Sequence, residues 1–172
     1  MKKYLGKIIT GVAILLGVVA IIMLAAPGIT IKPEYQVREA ESFSMANLTF
    51  GKDVWAKNLG LGFSFPNFLT FILVVVGIVC SIVSICGKGG KVLPIIAAVA
   101  LVAAGVLFFC VQQMYTIKLP KDFTGELKQE AVKFYKKQLD TAFTLGAGAI
   151  VGGVLSILAG AAALVPMFIK SK

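Results

Sequence analysis

TAFTLGAGAIVGGVLSILAGAAALVPMFI, at positions 141–169, is a run of 29 residues without a charge. As an α-helix it would rise about 43 Å, which is enough to cross the hydrocarbon core of a bilayer. Small residues recur at every fourth position along one side of it: Thr144, Gly148, Gly152, Ser156 and Gly160. Because lipid provides little hydrophobic force between helices, small-residue faces are where membrane helices approach closely. We therefore predict a helix-packing or partner interface at Gly148, Gly152, Ser156 and Gly160, used either by the other spans of the chain or by a second protein or copy.

Composition and the spacing of apolar runs predict one membrane domain over residues 1–172. Hydrophobic residues make up 58% of the chain and its mean hydropathy is +0.92, which lies outside the range of soluble globular domains. Four uncharged runs are each long enough to span a bilayer, at about 8–31, 64–86, 92–116 and 141–169. They leave two long connecting segments, 32–63 and 117–140, and a short turn at 87–91.

The charges are distributed unevenly between the connecting segments. Seven lysines lie at the two termini and in the short turn: Lys2, Lys3, Lys7, Lys88, Lys91, Lys170 and Lys172. All eight acidic residues fall in the two long segments. By the positive-inside rule we expect both termini and the turn to be cytoplasmic and the long segments to lie outside the plasma membrane. This placement also explains the net charge of +9 without a nucleic-acid partner.

The first outer segment has a pattern typical of strands. Tyr35 and Phe43 belong to stretches in which apolar and polar residues alternate, and this alternation slips before Phe50. A turn at Gly51 then leads to Trp55. The fold class is therefore all-α transmembrane: a four-helix bundle with a small extracellular antiparallel β-sheet in the first outer segment.

The second outer segment has helical spacing from Glu126 to Leu139. Without a proline before the last span, the fourth helix is expected to extend beyond the bilayer, with Phe134 and Tyr135 against the first outer segment. An amphipathic helix on lipid phosphates is the alternative. The outer-face interaction candidates are Tyr35, Phe43, Phe50, Trp55, Phe134 and Tyr135.

The residue types exclude most catalytic chemistry. The chain has no histidine, and its three cysteines, Cys80, Cys86 and Cys110, lie in or at the ends of apolar runs as small fillers. The acidic residues alternate with lysines as on a solvated surface, and no charge lies within a span. We predict no enzyme activity, no catalytic, cofactor-binding or metal-binding residue, and no small-molecule substrate.

The layout resembles claudins and related tetraspan proteins: cytoplasmic ends, a strand-rich first outer segment, a short inner turn and a shorter second outer segment. Claudins carry a tryptophan, a Gly-Leu-Trp motif and two cysteines in the first outer segment. Here Trp55 and Asn58-Leu59-Gly60-Leu61 remain, and no cysteine is present there. In its lysine, glycine and alanine usage the chain is also similar to small four-span proteins of bacteria.

These features favour a non-enzymatic multi-pass membrane protein that acts through protein contacts, as a scaffold or an accessory subunit. The expected partners are membrane lipid and another membrane protein or further copies of the chain. The alternative is a pore, channel or transporter subunit made of several copies, in which Gln112, Gln113, Thr70 and Ser81 supply the polar positions.

Overall fold

The computed structural model describes residues 2–32, 42–56, 59–87, 90–119 and 124–169. Helices in these ranges are α1 (Lys2–Ile22), α2 (Met45–Phe50), α3 (Phe65–Ile85), α4 (Val92–Phe109), α5 (Val111–Met114), α6 (Gly125–Ala142) and α7 (Ala147–Phe168), with a 3₁₀ turn at Met23–Ala25. The strands are β1 (Pro27–Ile31), β2 (Ser42–Ser44), β3 (Lys52–Ala56), β4 (Leu59–Gly62), β5 (Thr116–Lys118) and β6 (Phe143–Leu145).

Within the described ranges, four helical segments are long and apolar enough to cross a membrane: Tyr4–Ala25, Phe65–Ile85, Val92–Phe109 and Ala147–Phe168. The prediction of a multi-pass helical membrane protein is confirmed at this level. The large apolar residues on the outer surfaces of these helices, such as Leu15, Val79 and Val99, are exposed as membrane-facing residues would be.

The chain divides into two compact units. The first contains residues 1–23, 69–108 and 151–172, and therefore most of the four apolar helices. The second contains residues 24–68 and 109–150, and therefore all six strands.

The first unit is packed around small residues. Ala13 of α1, Ala97 and Ala98 of α4, and Ala163 of α7 form one buried cluster. A Cβ atom added to Gly17 of α1 would lie 2.8 Å from Ile78 of α3, so these two helices approach within the space that a side chain would need. Close approach at small residues gives apolar helices the dispersion contacts that hold them together in lipid.

The second unit contains two three-stranded antiparallel sheets. One has the strand order β2-β1-β6, in which Ile29 of β1 is opposite both Phe43 and Leu145. The other has the order β3-β4-β5, in which Leu61 of β4 is opposite Lys52 and Ile117. Each sheet includes one strand from a distant part of the chain, β6 in the first and β5 in the second, so each sheet joins the two halves of the sequence.

The small antiparallel sheet was predicted correctly in kind, but its strands are not confined to the first outer segment. β1 and β6 lie in runs that were assigned to the first and fourth spans, and β5 follows the third. The helical spans are correspondingly shorter than predicted. Polar and apolar residues alternate at the ends of Pro27–Ile31 and Phe143–Leu145, and these two segments pair with each other as antiparallel strands.

A continuous fourth helix from the outer segment into the last span is not observed. α6 ends at Ala142, where Phe143 adopts an extended conformation, and α7 begins only at Ala147. Pairing of β6 with β1 supplies the backbone hydrogen bonds that the helix would otherwise have made. The N–H of Gly146 also donates to the Gly28 carbonyl at 2.8 Å.

The segment from Met45 to Phe50 is a helix and does not continue the strand that precedes it. The Ser44 hydroxyl caps α2 by accepting a hydrogen bond from the backbone N–H of Asn47. Gly51 ends the helix at φ +88°, and its N–H donates to the Asn47 carbonyl. The slip in alternation at this point therefore marks a capped helical turn between two strands. The other predicted strand, at Tyr35, lies outside the described residues.

Candidate binding cleft

The small-residue face of the last span lies against residues of the same chain. A Cβ atom added to Gly152 would lie 2.8 Å from the Phe108 ring, and one added to Gly160 would lie 3.0 Å from the Ala98 carbonyl oxygen. A Cβ atom on Gly148 would lie 2.8 Å from Ala26. These glycines leave room for residues that contact the helix directly.

Two hydroxyl residues of that face have different surroundings. The buried Ser156 donates a 2.7 Å hydrogen bond to the Leu101 carbonyl on α4. Thr144 is not on α7: it belongs to β6, where its hydroxyl is 2.8 Å from that of Thr30 on β1. The small residues at every fourth position therefore begin in strand β6 and continue in helix α7.

The predicted outer-face aromatic residues that the structure describes differ in their exposure. Phe43 is buried and its ring contacts Phe143 edge-on, with 5.9 Å between ring centroids. Phe50 and Phe134 are exposed, at 62% and 60% of their surface. Tyr135 is half-buried, and its ring lies 5.9 Å from that of Phe134. Tyr35 and the side chain of Trp55 lie outside the described part of the structure.

A cleft of about 210 Å³ opens beside the β3-β4-β5 sheet. Backbone geometry at Gly51 shapes one wall, because its φ of +88° turns the chain from α2 into β3. A Cβ atom at Gly51 would lie 2.7 Å from the Leu61 carbonyl oxygen, so only glycine fits there without displacement. The cleft is lined by Phe50, Gly51, Lys52, Leu61, Gly62, Phe63 and Lys118.

Two of the residues that line the cleft are lysines. Lys52 of β3 and Lys118 of β5 are exposed at opposite edges of the sheet, with β4 between them. In the register of the sheet Lys52 is opposite Leu61 and Lys118 is opposite Gly60, so the two side chains leave opposite faces of the sheet. Each brings a positive charge near the cleft, and such charges attract an anionic group, such as a carboxylate or a phosphate.

Aromatic rings adjoin the two lysines. Phe50 and Phe63 both contact the Phe68 ring, with centroid distances of 6.2 Å and 5.7 Å. Phe63 is 53% exposed, and Phe50 is more exposed still. Fixed aromatic rings beside a charged cleft combine apolar contact area with a low entropy cost of ordering, which is typical of binding surfaces.

A second polar cluster in the same unit holds α6 in place. The buried Tyr115 donates a 2.8 Å hydrogen bond to the Asp140 carboxylate, and the Lys136 ammonium lies 5.6 Å from the centroid of the Tyr115 ring. Lys136 also donates to the Gln113 carbonyl at 3.2 Å. Burial, together with the hydrogen bond to Asp140 and its negative charge, raises the pKa of the Tyr115 hydroxyl above its ordinary value.

The polar positions considered for a pore have contacts within the chain. Gln112 donates to the Phe143 carbonyl at 2.8 Å, and Ser81 donates to the Gly77 carbonyl of its own helix. Thr70 and Ser81 are buried, and the backbone carbonyl of Gln113 accepts from Lys136. The hypothesis of a pore built from several copies stays a prediction.

Other reactive groups are few in the described ranges. Cys80, Cys86 and Cys110 are free thiols, of which Cys86 is exposed. No group of three or more histidine, cysteine or acidic side chains within these ranges is placed to hold a metal ion. The cleft is therefore the feature of the described structure best suited to recognition.

No family model, no curated protein and no solved structure matches this chain. The layout that it shares with claudins remains a resemblance.

The sequence pointed to one component of the cleft, Phe50, and missed its two lysines. Lys52 and Lys118 lie in different outer segments, and only the pairing of β4 with both β3 and β5 brings their strands into one sheet. The alternation around Leu61 and Ile117 could have indicated these strands, but their pairing register depends on contacts between distant segments.

Proposed function

We propose that this chain is a non-enzymatic multi-pass membrane protein that acts through protein contacts, and that the cleft between Lys52 and Lys118 binds an acidic segment of a partner membrane protein. The observation that supports this most directly is that one cleft is lined by two exposed lysines and by the exposed rings of Phe50 and Phe63. The cleft is small. We therefore expect the acidic group of the partner to supply specificity, and the aromatic rings around the cleft to supply apolar contact.

Phe50 and Phe63 provide the apolar part of this surface. Both are more than half exposed, and both contact the ring of the half-buried Phe68. A large ring that is fixed from behind and open in front loses little freedom when a partner covers it. A partner segment with a carboxylate next to an apolar side chain would match both halves of the cleft.

Native mass spectrometry of the full chain, extracted from its own membranes in mild detergent, tests the proposal. We expect a mass above that of the 18.2 kDa monomer, either with a different protein bound as an accessory subunit does or with further copies as in a scaffold. A lone monomer under several mild detergents would contradict the proposal.

Charge reversal then tests the cleft. Lys52→Glu and Lys118→Glu should each reduce the amount of complex, while Lys128→Glu, at an exposed lysine of α6 in the same unit, should leave it unchanged. An equal loss for all three variants would show that general charge, and not the cleft, holds the partner.

Our proposal for orientation places the termini and the turn after α3 in the cytoplasm of a cell whose plasma membrane holds the protein, with the second unit outside. The support is the distribution of lysines and acidic residues along the sequence. Cys86 is exposed next to that turn and offers a natural reporter. A membrane-impermeant maleimide should label Cys86 only after the cells are permeabilised, with Cys86→Ser as the control; labelling of intact cells would reverse the orientation.

A further inference from the structure

α6 has an apolar edge that its own chain leaves uncovered. Leu127 is 70% exposed and Phe134 is 60% exposed, and no residue of α6 is fully buried. The two side chains are seven residues apart, so they lie almost in line, two turns apart on the helix. Two large apolar side chains aligned in this way form a continuous edge along the helix.

The contacts that hold α6 lie on another side of the helix. Tyr115 bonds to Asp140, and Lys136 lies over the Tyr115 ring. Lys136 is two residues beyond Phe134, which is a rotation of about 200° around the helix axis. The edge at Leu127 and Phe134 therefore faces away from the side that is bonded to Tyr115.

Positive charge accompanies this edge. Lys133 and Lys137 are exposed one residue before and three residues after Phe134. Among the acidic residues of α6, Asp140 is bonded to Tyr115, whereas Glu130 is exposed one turn before Phe134 and brings one negative charge beside the edge. An apolar edge next to lysines is the arrangement of helices that lie in the headgroup region of an anionic bilayer.

The position of α6 in the chain supports a lipid partner. α6 ends at Ala142 and α7, one of the four helices able to cross a membrane, begins at Ala147. The four residues between them can extend no more than about 17 Å from end to end, so the helix is tethered close to a membrane-spanning segment.

We propose that Leu127 and Phe134 insert into the boundary between the headgroups and acyl chains of the bilayer, while Lys133 and Lys137 meet the phosphates of anionic lipids. α6 is then a surface-lying anchor that fixes the second unit against the lipid. This role requires the chain to be in a bilayer but does not depend on the partner protein proposed above.

Depth-dependent fluorescence quenching tests the insertion. The full chain, with its three native cysteines replaced by serine, receives one new cysteine as Leu127→Cys, Phe134→Cys or Gln129→Cys and is labelled with an environment-sensitive fluorophore. Gln129 is the matched control, because it is exposed and lies about 200° around the helix from Leu127. Each protein is reconstituted into phosphatidylcholine vesicles with and without phosphatidylglycerol, doped with a lipid that carries a nitroxide near its headgroup.

We expect blue-shifted emission and several-fold stronger nitroxide quenching for labels at positions 127 and 134 than at 129. Emission typical of water at all three positions would overturn the proposal. Blue-shifted emission without lipid quenching would also overturn it, because a protein surface, such as a second copy, would then cover the edge. Far-ultraviolet circular dichroism of each labelled protein verifies that the helices are intact.

The role of the lysines is tested in the same vesicles. Lys133→Glu combined with Lys137→Glu should reduce quenching at position 134 in the vesicles with phosphatidylglycerol and change it little in pure phosphatidylcholine. No difference between the two lipid compositions would overturn the part of the proposal that concerns anionic phosphates. Neither measurement depends on the partner complex, so failure here is distinguishable from failure of the cleft proposal.

Discussion

The hydroxyl of Ser156 on α7 donates a 2.7 Å hydrogen bond to the backbone carbonyl of Leu101 on α4. Both residues are buried, and the two are joined across the interface between helices that are far apart in sequence. Below and above this bond the same helices meet at Gly160, beside the Ala98 carbonyl, and at Gly152, beside the Phe108 ring. The contact between α4 and α7 therefore combines close packing with one directional polar bond.

Removal of the hydroxyl should weaken this interface. Ser156→Ala is expected to destabilise the protein by about 0.6 kcal/mol, the mean for hydrogen bonds between membrane helices, and by no more than about 1.7 kcal/mol, the maximum. Refolding equilibria in mixed micelles with increasing dodecyl sulfate measure the change. Ser81→Ala is the control, because Ser81 donates to the Gly77 carbonyl within α3 and joins no second helix. Equal effects of the two substitutions would mean that the bond to Leu101 adds nothing to helix association.

A larger effect is expected where the helices leave no space for a side chain. Gly152→Leu places four carbons against the Phe108 ring, which would lie 2.8 Å from the first of them. Overpacking of this kind costs about 1–3 kcal/mol. The folded fraction in a single detergent, measured by circular dichroism and gel filtration, should fall.

Ile150→Leu is the comparison for Gly152→Leu, because Ile150 is exposed and two residues earlier in the same helix. Its effect on the folded fraction should be small. If Gly152→Leu were instead to leave the monomer folded and remove only an oligomer or partner complex, the small-residue face would belong to a partner. Equal tolerance of both changes would mean that the face packs against nothing.

The four apolar helices could be predicted from the sequence because length and the absence of charge are local properties. The residues at which these helices begin and end could not be predicted in the same way. Residues 27–31 and 143–145 are as uncharged as the helices beside them, yet Ile29 and Leu145 lie opposite each other in a sheet. Hydropathy does not distinguish a buried strand from the end of an apolar helix, because both exclude charge. The pairing that decides between them joins opposite ends of the chain.

The candidate cleft was less accessible to sequence reasoning than the helices. Phe50 is one of the aromatic residues predicted to lie on the outer face, and its side chain is exposed. Phe43, chosen by the same criterion, is buried against Phe143. Both residues are phenylalanines of the same segment, so composition does not distinguish them. The register of the sheet determines which of them faces the core.

Tyr115 should make the stability of the protein sensitive to alkali. Its folded-state pKa is raised, mainly by burial and further by Asp140, so the folded state retains the hydroxyl proton after the unfolded chain has lost it. The stabilisation is complete below the ordinary tyrosine pKa of about 10 and is lost as the pH rises towards the folded-state pKa. We expect the free energy of unfolding to fall above about pH 10 by up to 1.4 kcal/mol per pH unit from this group.

Tyr115→Phe separates this titration from other alkaline effects. At neutral pH the variant loses the bond to Asp140 and should be less stable by about 0.5–1.5 kcal/mol, because the exposed Asp140 can bond to water instead. Above pH 10 its unfolding free energy should fall less steeply than that of the unmodified protein. Parallel curves for the two proteins would show that Tyr115 does not retain its proton.

Any side chain at position 51 should destabilise the protein, because the backbone conformation there and a close contact with Leu61 both disfavour it. The φ of +88° and ψ of 157° at Gly51 belong to a region that residues other than glycine occupy at a cost of about 1–3 kcal/mol. A Cβ atom would in addition meet the Leu61 carbonyl oxygen at 2.7 Å, on the strand that forms the wall of the cleft. Gly51→Ala should therefore lower the free energy of unfolding and also reduce the amount of partner complex.

Gly87→Ala has only the first of these costs, so the difference between the two variants measures the second. Gly87, after α3, also has a positive φ, of +76°, but a Cβ atom there would meet nothing within 4 Å. It should lower the free energy of unfolding by less than Gly51→Ala and leave the partner complex intact. Chemical denaturation and complex yield, measured for both variants in one detergent, give the comparison. If the two alanine variants lost equal stability and retained equal amounts of complex, contact between position 51 and Leu61 would not shape the cleft.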